Sequence, residues 1–276
     1  MAVRGEKRGK KSFFVPLAKR GLRAHTAAMI AEPLFWVCAV IAVLLTGISK
    51  GGFGGVALLA VPLMALVISP VRAAGIMLPI LIVMDAVSVW SYRKSFDKKL
   101  LYLMLPGAIV GIAIGGLLAG YVGDRFVLIF VGIIALLFSV YSVFKPKGEG
   151  GFIKGNKSFG VGASVMAGFT SFLAHAGGPP YKIYAIPQGL EKTVFAGTAV
   201  MFFAVVNAVK LIPYFMLGQF DRANLMTSLV LIPIAPVGVL LGVWLLKRIS
   251  QDAFYKFLYS MVFIVGVKLL WDGFTG

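Results

Sequence analysis

The chain has 276 residues; 59% are hydrophobic, 13% are charged, and the mean hydropathy is +0.94. A soluble domain is about half apolar and a quarter charged, so a soluble enzyme, a disordered chain and a fibrous repeat are excluded. A multispanning membrane protein remains. A span takes about 20 residues, so roughly eight to ten spans fit with short loops and no room for an added soluble domain.

Lys and Arg total 27 against 10 acids, a formal charge of +17. In a membrane protein such residues gather in cytoplasmic loops. No aromatic residues interleave with them in a folded module, so no nucleic-acid partner is expected. Eight of the 27 fall within residues 1–32, including Lys7-Arg8-Gly9-Lys10-Lys11. That stretch is expected to be a cytoplasmic tail that sets topology and touches anionic lipid headgroups. It is long and basic, with no A-x-A-like site after it, so a cleaved signal peptide is not expected. The single cysteine, Cys38, allows neither an internal disulfide nor a cysteine metal site.

Apolar runs follow at 33–49, 54–70, 72–92, 100–121 and 125–144. A polar, glycine-rich link covers 145–157, and five more runs lie at 158–174, 178–189, 193–217, 223–247 and 252–271. In lipid, runs of this length satisfy their backbone as helices, and the alternation of a membrane barrel is absent. The expected fold is an all-α helical bundle.

The two halves resemble each other. Asp85-Ala86-Val87 aligns with Asn207-Ala208-Val209, "SFDKKLL" (95–101) with "QFDRANL" (219–225), Gly111 and Gly115 with Gly238 and Gly242, and Gly54-Gly55 with Gly177-Gly178. The organisation expected is a first repeat over 33–144, a cytoplasmic linker over 145–157 and a second repeat over 158–276. Transporters built this way hold substrate between the repeats. Loop charges bear on topology. With ten full spans and the tail inside, 3 Lys/Arg beyond the tail fall inside and 12 outside; with the first two runs of each half merged into one broken crossing, the tally is 9 inside and 5 outside. The positive-inside rule favours the second scheme, with eight crossings, cytoplasmic termini and parallel repeats. Ten spans would make the repeats inverted.

Two breaks stand at matching positions: Ser49-Lys50-Gly51-Gly52-Phe53-Gly54-Gly55, and Ala174-His175-Ala176-Gly177-Gly178-Pro179-Pro180. Glycine lets the backbone leave helical geometry, and proline fits the first turn of a new helix. Free N–H groups at such helix starts attract anions. Ser49, Lys50, Gly51, Gly52, Gly54, Gly55, His175, Gly177, Gly178, Pro179 and Asn207 are therefore the expected substrate contacts. Lys50 either attracts the anion or snorkels to the interface. His175 either carries a proton near neutral pH or is a hydrogen-bonded structural residue. Asp85 and Lys210 lie within apolar runs, where charge is expensive. They either pair with each other or act in proton coupling, and Asn207 can supply a hydrogen bond. Arg72, next to Pro70, is expected at the membrane interface. Gly107, Gly111, Gly115, Gly116 and Gly120 mark close helix packing. No zinc, nucleotide or nucleophile-elbow motif is present, so neither a cofactor nor enzymatic activity is expected.

The stretches "GISKGGFGGVALLAVPLM" (47–64) and "GFTSFLAHAGGPPYKIYAIPQGLEKTVFAGT" (168–198), with the two-half layout, resemble the TauE/SafE-type sulfite exporters, also called TSUP transporters. The resemblance covers about residues 34–272. It implies a carrier of sulfite or small organosulfur anions in the bacterial inner membrane, with the glycine-rich breaks on the substrate path. The partners implied are a small anion and lipid, with homo-oligomers possible. A passive anion channel and a membrane scaffold are the alternatives. They differ from a carrier in lacking counterflow and in lacking flux, respectively.

Overall fold

The computed structural model describes residues 32–51, 56–119, 121–143, 154–246 and 251–275. The basic tail, most of the linker, and Gly52, Gly54 and Gly55 lie outside the described residues, as does Gly120. All regular structure among the described residues is helical. The first half contains α1 (Pro33–Lys50), a 3-10 turn (Val56–Leu59), α2 (Ala60–Ala65), α3 (Pro70–Tyr92), α4 (Lys98–Leu118) and α5 (Asp124–Val143). The second contains α6 (Lys157–Ala174), α7 (Gly178–Ala185), a 3-10 turn (Ile186–Gln188), α8 (Lys192–Met216), α9 (Arg222–Leu231), α10 (Ile234–Leu246) and α11 (Gln251–Thr275).

Among the described residues, α1, α3, α4 and α8 are each long and apolar enough to cross a membrane, and α9 with α10 together reach that length and apolarity as a bent pair. Two expected runs are divided. The run 223–247 bends by 47° between α9 and α10, where Pro233 cannot continue the ladder. The run 54–70 is a 3-10 turn and a six-residue helix. Exposed Leu117, Leu137, Val230 and Leu240 present apolar surface outward. Exposed Trp90 and Tyr102 sit near one end of the bundle, and Tyr121 and Trp271 near the other. These are the positions of aromatic belts at the two membrane interfaces.

The aligned motifs have the same local job in each half. Asp97 caps α4 by accepting from Leu100 N at 2.8 Å, and Asp221 caps α9 by accepting from Asn224 N at 2.8 Å. A carboxylate at this position satisfies donors that the first turn leaves unpaired.

Contacts between the halves fix relative helix directions. Along α3 and α8, Gly75 meets Gln219, Asp85 meets Asn207, and Tyr92 and Ser95 meet Gly197, so these helices are antiparallel. Gly107, Gly111 and Gly115 of α4 meet Ser164, Val165 and Phe172 of α6 in parallel order. Gly47 and Ile48 of α1 meet Gly238 and Gly242 of α10, also in parallel. Arg72 and Ile76 of α3 bond to Asn224 and Ser228 of α9 in the same order. Hence α1 and α3 share one direction, while α6 and α8 share the opposite one. The charge count favoured parallel halves, with α1 and α3 opposed; the helices run as inverted halves do. The second run of the second half is a short return, since Gly160 meets Tyr184 and Gly155 N donates to Gln188 Oε1 at 3.2 Å. The start of α1 and the end of α11 fall at one end of the bundle. The basic residues around 93–99 and 154–157 fall at the other.

Glycine makes the seams possible. A Cβ on Gly111 would stand 2.0 Å from Val165 O, and one on Gly168 would stand 2.0 Å from Ala108 O. The spacing-of-four glycines thus mark a close approach of α4 and α6, which brings the first half against the second break. Gly111→Ala is expected to lower stability by about 1–3 kcal/mol, the range for overpacking. Gly162→Ala, where no atom lies within 4 Å, is expected to be neutral or stabilising. Thermal unfolding of the two variants in detergent measures the difference.

Candidate functional site

The site lies where α3 and α8 cross. Asp85 and Asn207 are both 3% exposed, and Asn207 Nδ2 donates to Asp85 Oδ2 at 2.5 Å. These are the residues that align between the halves, so related positions meet each other, as they do beside a two-fold axis. The other oxygen, Oδ1, accepts from the Lys50 ammonium. Lys50 is the last residue of α1, so the end of that helix is tied to the crossing. Gly51 follows, buried, with its N–H on Gly47 O at 2.9 Å. Ser49 is partly buried one residue before Lys50.

Lys210 lies one turn beyond Asn207 on α8 and is fully buried. Its Nζ lies 3.0 Å from Ser171 O, 3.0 Å from Ser171 Oγ and 2.6 Å from His175 Nδ1. His175 Nε2 lies 2.9 Å from Ala74 O on α3. A carbonyl only accepts, so Nε2 carries a ring proton and Nδ1 faces the amine. One proton therefore lies between Nδ1 and Nζ.

The backbone explains how the imidazole arrives there. His175 ends α6 at φ 54, the one positive-φ residue other than glycine among the described residues. Its N–H bonds to Ser171 O at 3.0 Å and the next N–H to Thr170 O at 3.2 Å. Glycine is the favoured residue for this kind of helix end. A histidine there gives up backbone ease and places a ring between α3 and α8.

Each half thus joins its own break to its own third helix: Lys50 to Asp85 in the first, His175 to Lys210 in the second. The expected Asp85–Lys210 pair is not formed: the carboxylate takes Lys50 and Asn207, while Lys210 bonds to Ser171 and His175. Arg72, expected at the interface, stands in the first turn of α3 and links the halves through Nε to Asn224 Oδ1 at 2.9 Å. The start of α7 is poorer in donors than a generic helix start. Pro179 and Pro180 have no N–H, and Tyr181 N is taken by Gly177 O at 3.2 Å, leaving the N–H groups of Gly177 and Gly178. A Cβ at Gly177 would meet Ala167 O at 2.6 Å, whereas Gly178 has open space.

Two site neighbours were missed from sequence. Ser171 stands one turn before His175. Tyr214 donates its OH to Phe172 O at 2.5 Å and stacks on His175 with ring centroids 6.3 Å apart. The available signal was spacing: Asn207, Lys210 and Tyr214, at i, i+3 and i+7, share one helix face.

The family model for the sulfite exporter TauE/SafE matches residues 39–269, through both halves and every site residue named above. The chain belongs to the TauE/SafE sulfite exporter family. Members are membrane transporters that export sulfite or related anions, in accord with the multi-pass helical fold and the resemblance carried by the two glycine-rich stretches. No curated protein and no solved structure matches the chain.

Lys50→Met and Asp85→Asn each leave one buried charge uncompensated. Each is expected to cost about 3–5 kcal/mol, with the double variant recovering much of that loss. A double-mutant cycle on thermal or denaturant unfolding reads the coupling directly.

Proposed function

We propose that the chain is a secondary transporter of the bacterial inner membrane that exports sulfite or a small organosulfonate. Residues 33–144 and 158–276 act as two inverted repeats, with the tail and both termini cytoplasmic. The anion is held between the repeats, against Lys50, His175 and Lys210 and the N–H groups of Gly177 and Gly178. One observation carries this reading. The buried cluster holds two lysines against one carboxylate, and both breaks converge on it. With a neutral imidazole the cluster carries one excess positive charge. Such a charge in a lipid-surrounded interior is expensive, and a compact oxyanion offsets it. Inverted repeats with discontinuous helices near mid-membrane support alternating access by rocking one repeat against the other.

The Lys210–His175 contact also supports proton coupling. At 2.6 Å a proton passes between the two nitrogens with little movement, and anion arrival beside Lys210 favours the charged amine. Purified protein should show a higher melting temperature with sulfite or methanesulfonate than with chloride, because a ligand that binds only the native state stabilises it by mass action. Lys210→Met should cut sulfite flux in proteoliposomes by at least about tenfold, and an imposed pH gradient should change the wild-type rate. Non-saturating flux without counterflow would instead indicate a passive channel. Flux indifferent to pH gradients would remove the proton from the cycle.

A further inference from the structure

A carboxylate inside a site that holds an anion repels what the site must attract. Asp85 is nevertheless the one acid well inside an apolar run, and it sits 3% exposed at the crossing of α3 and α8. An amide of nearly the same shape, Asn207, occupies the aligned position in the second half and meets it there. Polar contact at the crossing therefore does not by itself call for a charge at 85.

The contacts give the charge of the cluster. The Lys50 ammonium is closed on Asp85 Oδ1, so that pair is neutral. Lys210 bonds to Ser171 O, Ser171 Oγ and His175 Nδ1, all uncharged. His175 gives its ring proton to Ala74 O. The charged side chains acting on His175 are Lys210 and Lys50, and those acting on Lys210 are Asp85 and Lys50, so the cluster is one electrostatic unit. The Arg72 Nε is bonded to Asn224 on α9. Two cations and one anion leave a single positive charge. With a carboxylate at both 85 and 207 the sum would be zero; with an amide at both it would be two. The unlike pair sets it at one.

We propose that Asp85 is a specificity-determining residue: it trims the positive charge of the site to one, so that the site accepts a singly charged oxyanion, hydrogensulfite or a monosulfonate, and rejects dianions such as sulfate and fully ionised sulfite. The assignment rests on the transport reading and adds to it the charge state of the substrate. A bound monoanion closes the count at zero. A dianion leaves one negative charge uncompensated in the bundle, which is costly. A further proton on His175 does not make room for the dianion, because Nδ1 already faces the Lys210 amine at 2.6 Å and an imidazolium there would meet a second cation.

The test is inhibition of sulfite flux in proteoliposomes, at one pH, by methanesulfonate and by sulfate, two compact tetrahedral anions that differ in charge. In the wild type methanesulfonate should inhibit at least about tenfold more strongly than sulfate. Asp85→Asn raises the cluster to two positive charges and should shift the ratio towards sulfate by at least about tenfold. The double variant Lys50→Met with Asp85→Asn restores one charge and should restore the preference for methanesulfonate. The hydration of the two anions is the same in every assay, so a changed ratio reports the site. Equal inhibition in the wild type, a ratio unmoved in Asp85→Asn, or a ratio not restored in the double variant overturns the role of Asp85 and leaves the transport reading intact. No sulfite flux in the wild type overturns both. Should the variants fail to fold, methylphosphonate on the wild type decides, since it passes from monoanion to dianion near neutral pH while methanesulfonate stays a monoanion. Its inhibition relative to methanesulfonate should fall as the pH rises through that ionisation; a constant ratio overturns the proposal.

Discussion

Asp85 places a carboxylate in the interior of an apolar bundle, and the centre of the molecule is arranged around meeting that charge. Desolvating an ion is costly unless partners take over from water. One oxygen is met by Lys50 and the other by Asn207. Meeting it with Lys50 brings the end of α1 to the crossing of α3 and α8. Since Asp85 is then fully engaged, Lys210 is served by neutral groups, namely the carbonyl and hydroxyl of Ser171 and the imidazole of His175. That in turn holds His175 in a left-handed conformation at the end of α6. The two breaks, the crossing helices and the polar cluster form one connected set of constraints.

The halves can surround that cluster because their backbones approach closely along two seams. In lipid no hydrophobic drive holds helices together, so packing area and close contact carry more of the association. The seam of α4 with α6 delivers the His175 break to the crossing, and the seam of α1 with α10 delivers the Lys50 break. Each seam joins a first helix of one half to a fourth-run helix of the other, so neither half encloses the site alone.

Much of this was legible in the sequence, because lipid simplifies the problem. Long apolar runs gave the helices, glycines at a spacing of four gave the seam, and polar residues stranded at 85, 207 and 210 gave the site. The division of partners at Asp85 was not legible, because Lys50 and Lys210 both approach it from breaks or helices whose relative depth only packing determines. Nor was the sense of the repeat. Loop-charge counting assumes a single dominant asymmetry, yet here the start of α1, which follows the basic tail, lies at one end and the basic residues 93–99 and 154–157 at the other. Two positive signals then oppose each other, whereas the glycine contacts give the relative directions of the helices. Tyr214 escaped for a different reason. An aromatic ring on an apolar helix looks ordinary until the imidazole stacked on it is seen.

The two breaks are alike in position but unlike in chemistry: an ammonium on a carboxylate in one half, an imidazole on an amine in the other. Were the halves chemically identical, exchanging their conformations would give two states, open to opposite faces of the membrane, of equal energy. The unlike pairs remove that degeneracy. One is a closed ion pair, and the other is an amine held by a carbonyl, a hydroxyl and an imidazole. On the transport reading, the unloaded protein therefore favours one facing over the other, and an arriving anion shifts that balance. The resting balance between the two facings is then, on that reading, a property of the covalent chain, while the gradients alone set the direction of net flux.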